Sequence, residues 1–200
     1  FRTAYMADCF DVIGNGTATL GWTSSGNYQK RQCVSQQIFT AAELAASGLS
    51  AGDAPSTIWV QFPYNPDIRT VGIYMGQTTK TGFESTTDWF DSEDLTPVYP
   101  EAQTLLTNAE PGYWMPLHFE NTITWDGQSN LVIAFVISKE DTYFNEYRDF
   151  PFYGKAHNEN NSLSWFGSTT DFSTSNTGQL SNYLTNIRFC TVTSCMTPTN

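Results

Sequence analysis

Gly48-Leu49-Ser50-Ala51-Gly52 has the G-x-S-x-G spacing that in α/β-hydrolases holds a nucleophilic serine on a strand-to-helix elbow. Here the context is reversed: an Ala-rich helical turn precedes the motif, a strand pattern follows it, and no parallel βαβ pattern surrounds it. It therefore reads as a loop of small residues. A serine nucleophile also needs an imidazole base. His118 falls on the outward parity of a strand and His157 lies in a polar loop, and neither has a Ser or Cys partner nearby in sequence. Paired acids for glycoside hydrolysis select nothing, because twenty Asp plus Glu always allow some pair at the required separation. No catalytic residue is assigned, and the chain is read as non-enzymatic.

Binding chemistry is better represented. Asp141–Tyr153, DTYFNEYRDFPFY, is the densest aromatic stretch. Sugar C–H faces stack on rings while hydroxyls need fixed polar groups. Tyr143, Tyr147 and Arg148, beside Asp141 and Asn145, are accordingly expected to form a ligand surface, and Phe150 and Phe152 to enter the core. Trp89, next to Asp88 and Asp91, is the other place where an exposed ring could meet polar partners. The acidic runs Asp88–Asp94 and Glu140–Glu146 carry oxygen ligands of the kind calcium takes, but neither has EF-hand spacing. They read as solvated loops: no cofactor is expected, calcium is the alternative that their oxygen ligands leave open, and folding should not need it.

These side chains must be positioned by a chain rich in aromatics and poor in charge, the balance of a β-protein. Two hundred residues suffice to bury a core without metals. Nine Lys plus Arg against twenty Asp plus Glu, 9 − 20 = −11, repels nucleic acid and anionic membranes alike, and no apolar run is long enough to insert in a bilayer. The missing initiator Met implies a removed leader or a piece of something longer. Cys9, Cys33, Cys190 and Cys195 cluster near the two ends without a C-x-x-C, which favours disulfides in an oxidising compartment over zinc. Three pairings are open. Cys9–Cys33 with Cys190–Cys195 is expected, since neighbouring bridges need the least long-range geometry.

Leu131–Ile137, LVIAFVI, is the longest unbroken apolar run, and both of its faces want burial, so it should be an interior strand. Thr57–Tyr64 and Arg69–Gly76 alternate cleanly and are joined by a hairpin or a sheet crossing. Met115, Leu117, Phe119, Ile123 and Trp125 share one parity, predicting a long strand that Asp126-Gly127 turns into an antiparallel neighbour of the central one. Ser35–Phe39, Pro97–Leu106, Phe150–Tyr153, Leu163–Phe166 and Thr185–Val192 are further strand candidates, whereas none is placed before residue 35. Thr40 with Glu43 has capping-box spacing, so one short helical turn is expected near 40–46, ended by Gly48. The expected fold is all-β: a two-sheet antiparallel sandwich of jelly-roll type over residues 1–192, with 193–200 as a tail or the start of a linker.

Four blocks carry a resemblance. Ser35–Leu44 (SQQIFTAAEL), Val71–Lys80 (VGIYMGQTTK) with Phe83 and Thr87-Asp88-Trp89, Asp126-Gly127 with Ser129–Ala134, and Asn186–Phe189 resemble, in that order, a β-sandwich module. That module recurs in large secreted and cell-surface proteins of Bacteroidetes exported by the type IX secretion system. The likeness spans roughly residues 10–190 and implies an extracellular, adhesin-like, non-catalytic domain. Where such modules usually follow the central strand with an Asp-Asp-Asn-like turn, this chain has Ser138-Lys139-Glu140-Asp141, and its cysteines are its own. The function expected is display of loops for adhesion or for binding a ligand such as a glycan or protein. The alternative is a structural or self-assembling surface subunit, or a spacer that contacts neighbouring domains or copies of itself.

Overall fold

The structure, a computed structural model, describes residues 6–19, 32–62, 69–104, 112–138, 152–167 and 176–193. Two antiparallel sheets pack face to face. One has the order β1 (Met6–Cys9), β13 (Ile187–Thr193), β4 (Thr57–Phe62), β7 (Tyr113–His118). The other runs β11 (Gln179–Ser181), β10 (Ser162–Gly167), β3 (Gln32–Phe39), β8 (Asn130–Ser138), β5 (Arg69–Thr78), β6 (Thr96–Thr104). A small third sheet joins β12 (Tyr183–Thr185), β9 (Tyr153–Ala156) and β2 (Ala18–Thr19). The pairs β1·β13, β3·β8, β4·β7 and β5·β6 are nested, the outermost strands of the chain together and the innermost together. Successive strands from β3 to β5 and from β6 to β8 change sheets, the double Greek-key winding of a jelly roll.

β8 is the centre of this arrangement, hydrogen-bonded to β3 on one side and β5 on the other. Its period-2 pattern feeds two cores. Leu131, Ile133, Phe135 and Ile137 point between the sheets, where they meet Ile58, Val60, Val71, Ile73, Leu117 and Phe189. Val132, Ala134 and Val136 point outward and are just as buried, covered by Phe83, Trp89, Leu95 and Leu163. The cover is the connection between β5 and β6, which folds back over the outer face. Gln36 on β3 fastens it: its amide accepts from the Phe90 N–H at 2.8 Å and donates to the Phe90 carbonyl at 2.8 Å, as a peptide group would.

β3 runs from residue 32, three residues before the expected start at Ser35, and its inward side carries Cys33, Ser35 and Gln37. These are buried polar positions, tolerable only when bonded. The Gln37 amide meets this need by donating to the Thr185 hydroxyl at 2.9 Å and accepting from the Thr185 N–H at 2.8 Å. After Phe39 the chain turns into α1 (Ala41–Ala46), with the capping box in place: Glu43 N–H donates to Thr40 Oγ1, and Thr40 N–H donates to Glu43 Oε2 at 2.9 Å. Gly48 at φ +97 ends it.

Several expectations are corrected. β7 stops at His118 and pairs with β4 in the sheet opposite β8, so β7 and β8 are not neighbours. Its parity continues to Trp125 because Phe119 and Ile123 still pack against the core from an irregular segment, which a period-2 reading cannot tell from a strand. Of the two links open between β4 and β5, a hairpin or a sheet crossing, the chain takes the sheet crossing. β1 and β2 lie where no strand was expected. The disulfide joins Cys9 to Cys190, opposite residues of the β1·β13 ladder, instead of Cys9 to Cys33. Cys33 is a free thiol, fully enclosed on β3, and desolvation pushes its pKa far above the usual range. Cys195 lies outside the described residues.

Candidate functional site

Of the expected ligand residues, Asp141, Tyr143, Asn145, Tyr147 and Arg148 lie outside the described residues. Trp89 does not present an open ring. It is 9% exposed, packs in the outer core, and donates its indole N–H to the Asn176 carbonyl at 2.7 Å. Phe152 is in the inter-sheet core as expected, its ring 5.4 Å from that of Phe135.

Lys80, the ion-pair partner of Asp88, nevertheless lines a cleft. Thr79, Lys80, Thr81, Gly82, Phe83 and Glu84, leaving β5, face Glu159 and Asn160 from the turn between β9 and β10 across a volume of about 640 Å³. Two bonds fix its walls: the Phe83 N–H donates to the Asn160 carbonyl at 2.8 Å, and the Asn161 amide donates to the Thr81 carbonyl at 2.9 Å. Gly82 permits this approach, since a Cβ there would sit 3.0 Å from the Asn160 carbonyl oxygen. The remaining Asn161 oxygen is buried without a hydrogen-bond partner among the described residues. The lining mixes threonine hydroxyls, an amide, two carboxylates and an ammonium, with Phe83 as apolar floor. Such a set can donate to and accept from a polar, many-hydroxyl ligand.

Lys80 is held in place for this role. Its ammonium bonds Asp88 Oδ1 and lies 5.1 Å from the centre of the Phe90 ring, while Asp88 Oδ2 accepts from the Glu84 N–H at 2.9 Å. Burial acts to raise the Asp88 pKa, but the Lys80 hydrogen bond, the Glu84 N–H and the Lys80 charge outweigh it and hold the carboxyl below its ordinary value. The stability this pair contributes is therefore present above the unfolded Asp pKa of about 3.9 and disappears as pH falls through the lower folded value. Asp88→Asn should cost about 1 kcal/mol or less at pH 7, the pair being partly solvated. Urea unfolding of both proteins from neutral to acid pH checks this: the gap should close on acidification, and a gap independent of pH would contradict it.

The remaining motifs lie outside the lining of this cleft. Ser50 is exposed in a turn where its N–H donates to Asp53 Oδ2 at 2.8 Å, and Gly48 and Gly52 supply positive φ, so the G-x-S-x-G spacing marks a loop. His118 is exposed and shares a 3.0 Å hydrogen bond with the Thr57 hydroxyl. His157 Nδ1 lies 3.4 Å from Glu43 Oε1. Among the described residues no three His, Cys, Asp or Glu side chains converge as metal ligands.

The four blocks of the resemblance become inter-element fasteners. Gln36 and Gln37 hold Phe90 and Thr185, as above. Asn130 accepts from the Ala41 N–H at 2.7 Å and donates to the Lys80 carbonyl at 2.8 Å, and Asn186 donates to the Gly16 carbonyl at 2.7 Å. Asp126 closes its own turn by accepting from Gln128 and Ser129. These fasteners tie elements together, and the second block also supplies Thr79, Lys80 and Phe83 to the lining of the cleft. Glu84, Glu159 and Asn160 were not singled out from sequence; no local pattern links positions so far apart. Compared with protein-family models, curated proteins and solved structures, the chain shows no match.

Proposed function

We propose that this chain is a non-catalytic extracellular binding module of the secreted, cell-surface kind that its sequence blocks resemble, and that its cleft between β5 and the β9–β10 turn takes a glycan. The polar cleft carries the reading, because hydroxyls, amide and both signs of charge line one open depression beyond the end of β5. A disulfide between the first and last strands supports an oxidising compartment, and no helix among the described residues is long and apolar enough to cross a membrane. A glycan array with the intact chain tests it. Glu159→Ala, an exposed change, should weaken the best array ligand by about 1–3 kcal/mol, the scale of a hydrogen bond to a charged group, and leave unfolding unchanged. An array without signal, or a ligand indifferent to Glu159→Ala and Glu84→Ala, overturns the assignment.

The alternative, a self-assembling subunit or spacer, is favoured by Tyr113, 49% exposed on the edge strand β7. The edges weigh against it: β7 contains Pro116, β6 contains Pro97 and Pro100, and β1 and β11 are only four and three residues long. Prolines and short edge strands are the usual blocks to edge-to-edge pairing. Concentration-dependent assembly in size-exclusion chromatography without any ligand would favour the alternative.

A further inference from the structure

We propose a second binding site on the opposite side of the β9–β10 connection, in a cleft of about 200 Å³ between α1, the Val12–Gly14 segment and the end of β9, which takes a small organic carboxylate with an apolar flank. The inference is independent of the glycan reading. It starts from charge: basic side chains are scarce in a chain with nine Lys plus Arg, yet Lys155 and His157 both line this one small cleft. Their i, i+2 spacing at the end of an extended strand puts them on one face.

The imidazole is set in place before any ligand arrives. The backbone of His157 is clamped by Asn182, its N–H donating to the Asn182 carbonyl at 2.6 Å and its carbonyl accepting from the Asn182 amide at 2.8 Å. Its Nδ1 faces Glu43 Oε1 at 3.4 Å, which leaves Nε2 unused by this pair. Glu43 is also the lining carboxylate that would repel an anion, but its charge is already engaged. Oε2 accepts from the Thr40 N–H at 2.9 Å and the Thr40 hydroxyl at 2.7 Å, and Oε1 faces the histidine. The charged Lys155 is exposed, and among the described residues no ion pair holds it. When both ring nitrogens of His157 carry protons, Nδ1–H facing Glu43 and Nε2–H free to donate, a carboxylate can thus bridge the Lys155 ammonium and His157 Nε2 without displacing an existing bond.

The rest of the lining selects the flank. Val12 is 43% exposed, one of two exposed large apolar side chains among the described residues, and it stands at this cleft with Ala46 and the largely buried Ile13. Ser47 adds no free hydroxyl, since its Oγ donates to the Leu44 carbonyl at 2.7 Å. The volume accommodates a branched aliphatic acid or an amino acid.

Titration of the isotope-labelled intact chain with isobutyrate and with leucine, followed by amide chemical shifts, tests the proposal, with isobutyramide as the uncharged control. At least one of the two carboxylates should give saturable shifts at Val12–Gly14, Ala46-Ser47 and Lys155–His157, and Lys155→Gln should weaken it by about tenfold, or 1.4 kcal/mol. His157→Gln should weaken it as well, while Glu159→Ala in the other cleft should not. Three results would overturn the site: no saturation with either carboxylate at high millimolar concentration, equal shifts from isobutyramide, or an affinity unchanged by Lys155→Gln in a protein of unaltered Tm.

Discussion

Phe135→Ala should destabilise the protein by about 3–5 kcal/mol, the range for truncating a buried aromatic to alanine. Phe135 has no solvent exposure, sits in the middle strand of the larger sheet, and faces the opposite sheet with its ring against Phe152. Strands on both sides hold its backbone, with Ser35 and Ile73 as its register partners, so the cavity cannot close by sliding β8 inward. Part of the loss is the transfer of apolar area and part is the unfilled volume. Urea unfolding with an unchanged m-value measures it. A loss under about 1 kcal/mol would mean that this strand is not the core of the fold.

Removing the disulfide as Cys9→Ser with Cys190→Ser should cost about 4–5 kcal/mol, near the top of the usual range, because the bridge spans 181 residues and restricts almost the whole unfolded chain. The nested topology sharpens this expectation. β1 is an edge strand of four residues, held only by β13, so without the covalent link its N-terminal strand should fray first. Hydrogen exchange should therefore show faster exchange at Ala7–Cys9 in the double variant, with the β3·β8 ladder protected as before. Equal unfolding midpoints for the two proteins would show that packing alone holds the ends together.

What the sequence determined by itself was local. The run Leu131–Ile137 predicted its own burial on both faces, the Thr40–Glu43 spacing predicted a capped helix, and the alternation at Ile58, Val60 and Val71, Ile73, Met75 predicted two strands with apolar inward sides. In each case the physics acts between residues a few positions apart, where periodicity records it. Tertiary structure decided everything that depends on which strand lies beside which. Nested pairing sets the first strand against the last, so Cys9 meets Cys190 although Cys33 is far nearer along the chain. Gln37 on the inward side of β3 is acceptable in the core only through Thr185, 148 residues away. Trp89 reads as a ring in a polar loop and is buried because that loop folds back over β8. Both clefts belong to the same level: Lys80 meets Glu159, and Glu43 meets His157, only after the sheet has brought the β9–β10 connection over the ends of its strands. No spacing rule encodes such encounters, since the chain entropy that separates these residues in sequence is overcome by the burial of the two cores and not by the sites themselves.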